Sequence, residues 1–140
     1  MTRTRPKLII QRSLFLCLLV IALAVSACTY RFHMKIDGPL EAPTVTPLNS
    51  GLFARDGACL HQFVVATAAE PGAPVWAVSK VGDACVFVNH VTYGEIPEGF
   101  EETSPPMPLA AGVVYVIGPN LRGPSLAEVA YLDGHWQRLD

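Results

Sequence analysis

The pattern of hydrophobic and polar residues divides the chain near residue 28. Residues 14–25 are all apolar, whereas after residue 28 apolar residues occur in short segments separated by Gly, Pro and Asp. Period-two alternation of apolar and polar residues is typical of half-buried strands, and no segment of this second part reaches ten residues at helical period. The pattern therefore predicts a short apolar N-terminal helix followed by an all-β domain.

The clearest strand pattern lies at residues 30–37. Four apolar residues alternate there with four polar or charged ones, namely Tyr30, Phe32, Met34 and Ile36 with Arg31, His33, Lys35 and Asp37. Because side chains two positions apart share one face of a strand, Arg31, His33 and Lys35 are expected to form a basic face. Asp37 and the following Gly-Pro pair are expected to end this strand.

The rest of the chain predicts further short strands, separated by turns. The expected strands are residues 51–55, 59–67, 75–81, 85–93, 113–117, 126–132 and 135–139. Residues 38–50 are predicted as an extended crossing or a loop, residues 94–108 as a loop, and Glu70–Pro74 as a turn, since prolines interrupt all three. Asp133-Gly134 is a two-residue hairpin signal. Seven or eight strands at this spacing favour a β-sandwich, with a small up-and-down barrel as the alternative.

One local motif refines the predicted fold. The segment Leu109-Ala110-Ala111-Gly112-Val113-Val114-Tyr115 resembles the tyrosine corner of fibronectin type III and other immunoglobulin-like domains, with Ala111 in place of the usual proline. The resemblance implies an immunoglobulin-like β-sandwich of about seven strands. It also implies that the Tyr115 hydroxyl bonds the backbone where the chain crosses between sheets. Residues 93–100 followed by this corner also resemble small, uncharacterised bacterial lipoproteins, which implies no activity.

The N-terminal region contains a second motif, Val25-Ser26-Ala27-Cys28. It follows the apolar run and a cationic segment that holds Arg3, Arg5, Lys7 and Arg12. Together these parts resemble the signal peptide and lipobox of bacterial lipoproteins. The resemblance implies that residues 1–27 are a lipoprotein signal peptide, that Cys28 is lipidated, and that residues 28–140 form one lipid-anchored domain.

Two alternatives to the lipobox are weaker. A transmembrane anchor would need roughly 20 apolar residues, and this run is shorter. A plain secretory signal peptide would not require a cysteine at this position. In diderm bacteria, lipoproteins that lack Asp after the lipidated Cys tend to go to the outer membrane, so Thr29 favours that membrane, facing the periplasm. In an envelope with one membrane, the domain would lie on its outer face.

The basic face of the first strand would then lie close to the lipid. Each basic residue near an anionic surface contributes about 1 kcal/mol, so Arg31, His33 and Lys35 are candidate membrane-facing residues. The alternative is that this face only keeps an edge strand soluble.

Charge and cysteine content exclude some partners and suggest one cross-link. Without residues 1–27 the chain keeps 6 basic and 12 acidic residues, a net charge of −6, which argues against nucleic acid as a partner. Cys59 and Cys85 remain once Cys28 is lipidated, and an oxidising compartment predicts a disulfide between them. A metal site with His61 is the alternative, although His90 would lie on the wrong face of its strand.

No catalytic motif stands out. The glutamates of the 94–108 loop, Glu95, Glu98, Glu101 and Glu102, are interpreted as solvated rather than as an acid–base pair. Ser125 does not lie in a nucleophile elbow, and no glycine-rich phosphate loop is present. Trp76 and Trp136 are expected in the core or on a sheet face, with Trp136 also a candidate for a binding surface.

The sequence therefore predicts a non-catalytic envelope lipoprotein with no cofactor and no metal. It would have a structural or protein-interaction role, with an unidentified envelope protein as partner. The alternatives are a periplasmic immunity or inhibitor protein, a ligand-binding lipoprotein and, least favoured, a small hydrolase.

Overall fold

A computed structural model describes residues 33–48, 57–120 and 126–139, and these residues form an all-β sandwich. They belong to the compact unit Arg31–Asp140, whereas the other compact unit, Met1–Tyr30, lies outside them. The expected signal helix, Cys28 and the expected strand at 51–55 therefore also lie outside the described residues. The strands are β1 His33–Asp37, β2 Thr44–Leu48, β3 Ala58–Leu60, β4 Gln62–Thr67, β5 Glu70–Lys80, β6 Val86–Val88, β7 Val91–Thr92, β8 Phe100–Ser104, β9 Val114–Gly118, β10 Ala127–Leu132 and β11 His135–Arg138.

The strands form two sheets and a short ribbon. One sheet has the order β1-β2-β7, the second has the order β11-β10-β9-β4-β5-β8, and β3 pairs with β6 in the ribbon. The chain thus starts in the smaller sheet, moves to the larger one, returns at β7 and ends in the larger sheet. All the pairings are antiparallel, and this alternation between two sheets is typical of an immunoglobulin-like sandwich.

The core lies between the two sheets. Val45 and Val91 from the smaller sheet join one buried cluster with Phe63, Trp76 and Ile117 from the larger sheet. The Trp76 side chain is fully buried and packs edge-on against the Phe63 ring, with the ring centroids 6.0 Å apart. Burying such aromatic side chains contributes a large share of the hydrophobic stabilisation of a small domain.

Residues 38–50, predicted as an extended crossing or a loop, contain the paired strand β2. Pro47 lies opposite Met34 in the β1–β2 ladder, and its carbonyl accepts a hydrogen bond from Gly57 N at 2.9 Å. In an antiparallel ladder the N and O atoms of a residue point to the same side. The missing N–H of Pro47 therefore faces away from β1, so proline costs this ladder no hydrogen bond.

The predicted loop at residues 94–108 was wrong in part, because it contains β8. This strand pairs with β5 and forms one edge of the six-stranded sheet. Phe100 is buried, whereas Glu101 and Glu102 are exposed. Charged side chains are common on edge strands, where they discourage pairing with other chains. The glutamates that suggested a loop are therefore compatible with an edge strand.

The predicted Glu70–Pro74 turn is wrong as well. Glu70 already pairs with Thr67 across the β4–β5 hairpin, so the turn is Ala68-Ala69 and β5 runs through Pro74. The ladder is irregular at this end, and such bulges accommodate prolines.

The described residues contain eleven short strands, some of which are parts of longer predicted strands. The predicted strand 59–67 is interrupted at His61, and the predicted strand 85–93 is interrupted between β6 and β7. The C-terminal hairpin is confirmed, with Asp133 at φ 52° and Gly134 at φ 82°. Positive φ at both turn residues is the requirement of a type I′ turn, which Asp-Gly meets at low cost.

Candidate functional site

An open cleft of about 350 Å³ lies between the β6–β7 region and residues 95–98. It is lined by residues 87–90, Thr92 and residues 95–98. Its volume falls in the range of sites that take small ligands or a few side chains of a partner protein.

Two large apolar side chains face this cleft and remain exposed. Phe87 is 56% exposed and Ile96 is 52% exposed, and both residues line the cleft. A single exposed apolar residue on a protein surface is ordinary, but apolar residues that converge on one cleft are typical of an interaction site.

Phe87 is held outside by the backbone around it. In β6, Val88 is buried and Phe87 is exposed, as expected for alternating side chains. The Phe87 ring lies directly over Gly57, where a Cβ atom would come within 2.7 Å of it. Gly57 also has φ +131°, which other residues rarely adopt. Gly57 thus leaves the space that the aromatic ring occupies.

The wall formed by residues 95–98 is shaped by two consecutive turns. Glu95 N donates to Thr92 O and Phe100 N donates to Pro97 O, each at 3.1 Å. Gly94 and Gly99 supply the positive φ that these turns need, at 79° and 82°. A Cβ atom on Gly99 would lie 3.1 Å from the Val86 side chain, so this wall closely approaches β6. The cleft is therefore formed before any ligand arrives.

A disulfide anchors the β6 wall. Cys59 and Cys85 are joined, with their Cα atoms 5.4 Å apart, so the predicted bond is confirmed. Their sulfur atoms are unavailable as thiolate ligands, which removes the alternative of a metal site built on them. Among the described residues, no group of three or more His, Cys, Asp or Glu is placed to hold a metal ion.

The glutamates of the predicted loop divide into two pairs. Glu95 and Glu98 line the cleft together with His90, whereas Glu101 and Glu102 lie on β8 outside it. Residues 83–104 contain five acidic residues and no Lys or Arg, so this part of the surface is negative. Carboxylates in this setting attract cations and repel anions.

Thr92 places a hydroxyl group in the cleft lining, and this hydroxyl lies 3.3 Å from the Thr44 hydroxyl. His90 also lines the cleft, whereas His61 and His135 are exposed outside it. Ser125 lies outside the described residues.

Tyr115 makes the backbone contact that the corner motif predicts. It is buried, and its hydroxyl accepts a hydrogen bond of 2.8 Å from Ala110 N. The segment it holds joins β8 to β9, however, and both strands belong to the six-stranded sheet. The expected crossing between sheets occurs earlier, between β7 and β8.

Tyr93, which the sequence analysis did not single out, makes the contact between the sheets. It follows β7, and its hydroxyl donates to Met107 O at 2.7 Å and accepts from Met107 N at 3.2 Å. The same hydroxyl lies 3.0 Å from Val75 O in β5. Burial raises the pKa of Tyr93 to about 12. The sequence feature that could have indicated this role is the position of Tyr93 at the end of a predicted strand, directly before Gly94.

The predicted basic face is only partly described. His33 and Lys35 are exposed on β1, whereas Arg31 and the lipidation site Cys28 lie outside the described residues. Lys35 Nζ lies 2.8 Å from an Asp37 carboxylate oxygen on the same face. The hydrogen bond and the charge of Asp37 raise the pKa of Lys35. The face therefore carries both signs of charge.

Trp136 is part of the interior rather than of a binding surface. It is 8% exposed, and its ring packs edge-on against Tyr115 and Tyr131. Trp76 is fully buried, so the expectation of core positions is confirmed for both tryptophans.

Comparison with protein-family models, curated proteins and solved structures finds no match for this chain. Within the described residues, no helix is both long enough and apolar enough to cross a membrane.

Proposed function

We propose that this chain is a cell-envelope lipoprotein that acts by holding a partner protein at the cleft between β6–β7 and residues 95–98. The observation that carries the proposal is the pair Phe87 and Ile96, which are both more than half exposed and line the same cleft. Exposed apolar side chains on a preformed frame favour association because little ordering is needed on binding.

The lipobox supports the anchored part of this proposal. Acylation of Cys28 would tether the domain to the outer membrane facing the periplasm, as Thr29 favours. The face that includes Arg31, His33 and Lys35 would then lie towards the headgroups. The Lys35–Asp37 ion pair reduces the positive charge of that face, so the lipid supplies most of the attachment. No cofactor is needed for this role.

A ligand-binding or inhibitor role is the second candidate. The cleft volume of about 350 Å³ would suit a small ligand, and an immunity protein would use the same exposed walls against a toxin. Small-ligand sites, however, usually bury most of the ligand surface. This cleft is open and has polar as well as apolar walls, which favours a protein partner.

The test is site-specific photo-crosslinking in cells that express the full chain. A photoreactive residue at Phe87 or Ile96 should capture one discrete protein. The same residue at Glu128 or His135, which are exposed outside the cleft, should capture none. A Cys28→Ser variant should lose labelling by a palmitate analogue and lose the crosslinked product. Equal capture from the cleft and control positions would refute the contact role, and labelled Cys28→Ser would refute the anchor.

A further inference from the structure

We infer that the cleft recognises a partner segment that places a Lys or Arg beside a bulky apolar side chain. This inference rests on the proposed function and adds the chemistry of the partner. It follows from what the two walls offer together, which is apolar surface from Phe87 and Ile96 and negative charge from Glu95 and Glu98.

The apolar walls select one part of the ligand. Phe87 and Ile96 are fixed by Gly57 and by the two turns around residues 95–98, so their side chains meet a ligand without rearrangement of the backbone. An aliphatic or aromatic side chain between them would remove apolar surface from water on both sides.

The carboxylates select the other part. Glu95 and Glu98 lie within the cleft, whereas Glu101 and Glu102 lie on β8 outside it. The cleft lining contains no Lys or Arg that would neutralise Glu95 and Glu98. A cationic side chain would be attracted to this surface, and an Arg would also suit the exposed face of Phe87. Anionic partners such as nucleic acid or acidic lipid headgroups would be repelled.

The matched pairs of glutamates provide the experiment. The full chain in detergent micelles is titrated with a labelled six-residue peptide of alternating Arg and Leu, and binding is followed by fluorescence anisotropy at low and high salt. Peptides of alternating Glu and Leu and of alternating Arg and Gly are the two controls. We expect the Arg-Leu peptide to bind most tightly and to weaken as salt rises, because surface charges are screened.

The variants separate the cleft from overall charge. Glu95→Gln with Glu98→Gln should weaken binding about five-fold, the effect of two solvent-accessible ion pairs. Glu101→Gln with Glu102→Gln removes the same charge outside the cleft and should change binding less than two-fold. Phe87→Ser should weaken binding more than ten-fold, since it removes a large apolar contact. Unchanged amide NMR spectra away from the cleft would establish that each variant is folded.

Three results would overturn the inference. They are equal losses from the two glutamate pairs, equal binding of the Glu-Leu peptide, and no binding of the Arg-Leu peptide at low salt. None of them bears on crosslinking from Phe87 in cells, which tests the proposed function separately. A crosslinked partner together with a failed peptide titration would mean that the cleft binds a protein of different chemistry.

Discussion

The chain between β7 and β9 contains two connecting segments, one on each side of β8, that the fold uses differently. Residues 94–99 form one wall of the cleft and are shaped by their own turns. Residues 105–112 follow β8 and are pinned by the hydroxyls of Tyr93 and Tyr115, which bond the backbone of Met107 and Ala110. The first segment thus presents a surface, whereas the second is a structural brace.

The two segments differ in whether their exposed apolar side chains indicate a binding site. The Met107 side chain is 56% exposed, yet its backbone is held on both sides, and it does not line the cleft. Ile96 is exposed to a similar degree, at 52%, but it lines a cleft together with a second exposed apolar residue, Phe87. Exposure alone does not mark a site, whereas convergence on a rigid frame does.

The largest stability effect should come from the disulfide beside the cleft wall. Cys59→Ser with Cys85→Ser should lower the free energy of unfolding by about 3–4 kcal/mol, because the bond closes a long loop in the unfolded chain. Urea unfolding of the variant and of the reduced wild type should give the same midpoint. A loss below about 1 kcal/mol would mean that the ribbon is held without the bond.

The second prediction compares the tyrosines that brace residues 105–112 with Phe87 in the cleft, by their effects on the free energy of unfolding. Tyr93→Phe and Tyr115→Phe should each lower the free energy of unfolding by about 1–2 kcal/mol, since buried backbone groups lose a partner. Phe87→Ser, in the cleft, should change it by less than about 0.5 kcal/mol, as is usual for exposed positions. Chemical denaturation measures all three. If Phe87→Ser destabilised the fold as much as Tyr93→Phe, Phe87 would be structural and the cleft interpretation would fail.

The last prediction is a pH dependence of the free energy of unfolding that comes from the Tyr93 hydroxyl. Burial raises the pKa of Tyr93 from 10.0 to about 12, so between these values the folded protein retains a proton that the unfolded chain has lost. The stabilisation is complete below pH 10 and disappears as the pH rises towards 12. We expect wild type to lose on the order of 1 kcal/mol more than Tyr93→Phe over this range, after solvent screening. Parallel pH profiles for the two proteins would contradict the assignment.

Sequence patterns predicted the fold class where local rules and burial agree. The alternation at residues 33–37, the Asp133-Gly134 hairpin, the Cys59–Cys85 bond and the Tyr115 contact are all confirmed. In each case a local rule, such as alternating burial along a strand or positive φ in a turn, is enough to predict the feature from the residue types.

The errors arose where tertiary context decides. Pro47 lies within β2 because the ladder does not need its N–H on that side. Glu101 and Glu102 lie in β8 because an edge strand tolerates charge. The cleft was not predictable, since Phe87, His90 and Ile96 meet only after β6, β7 and the following turns are placed. The acidic segment that contributes to the cleft was visible in the sequence, but its meeting with Phe87 in one cleft was not.

The β3–β6 ribbon has a consequence for how the domain opens. It has two strands of three residues each, whereas β4 and β9 lie between neighbours on both sides. A two-stranded ribbon is marginal by itself, so its amide protons should exchange through a local fluctuation, while those of β4 and β9 await global unfolding. The disulfide limits how far that fluctuation can go, since Cys59 and Cys85 cannot separate. A ligand held against Phe87 would then suppress motion in the ribbon and leave the slowest-exchanging core unchanged.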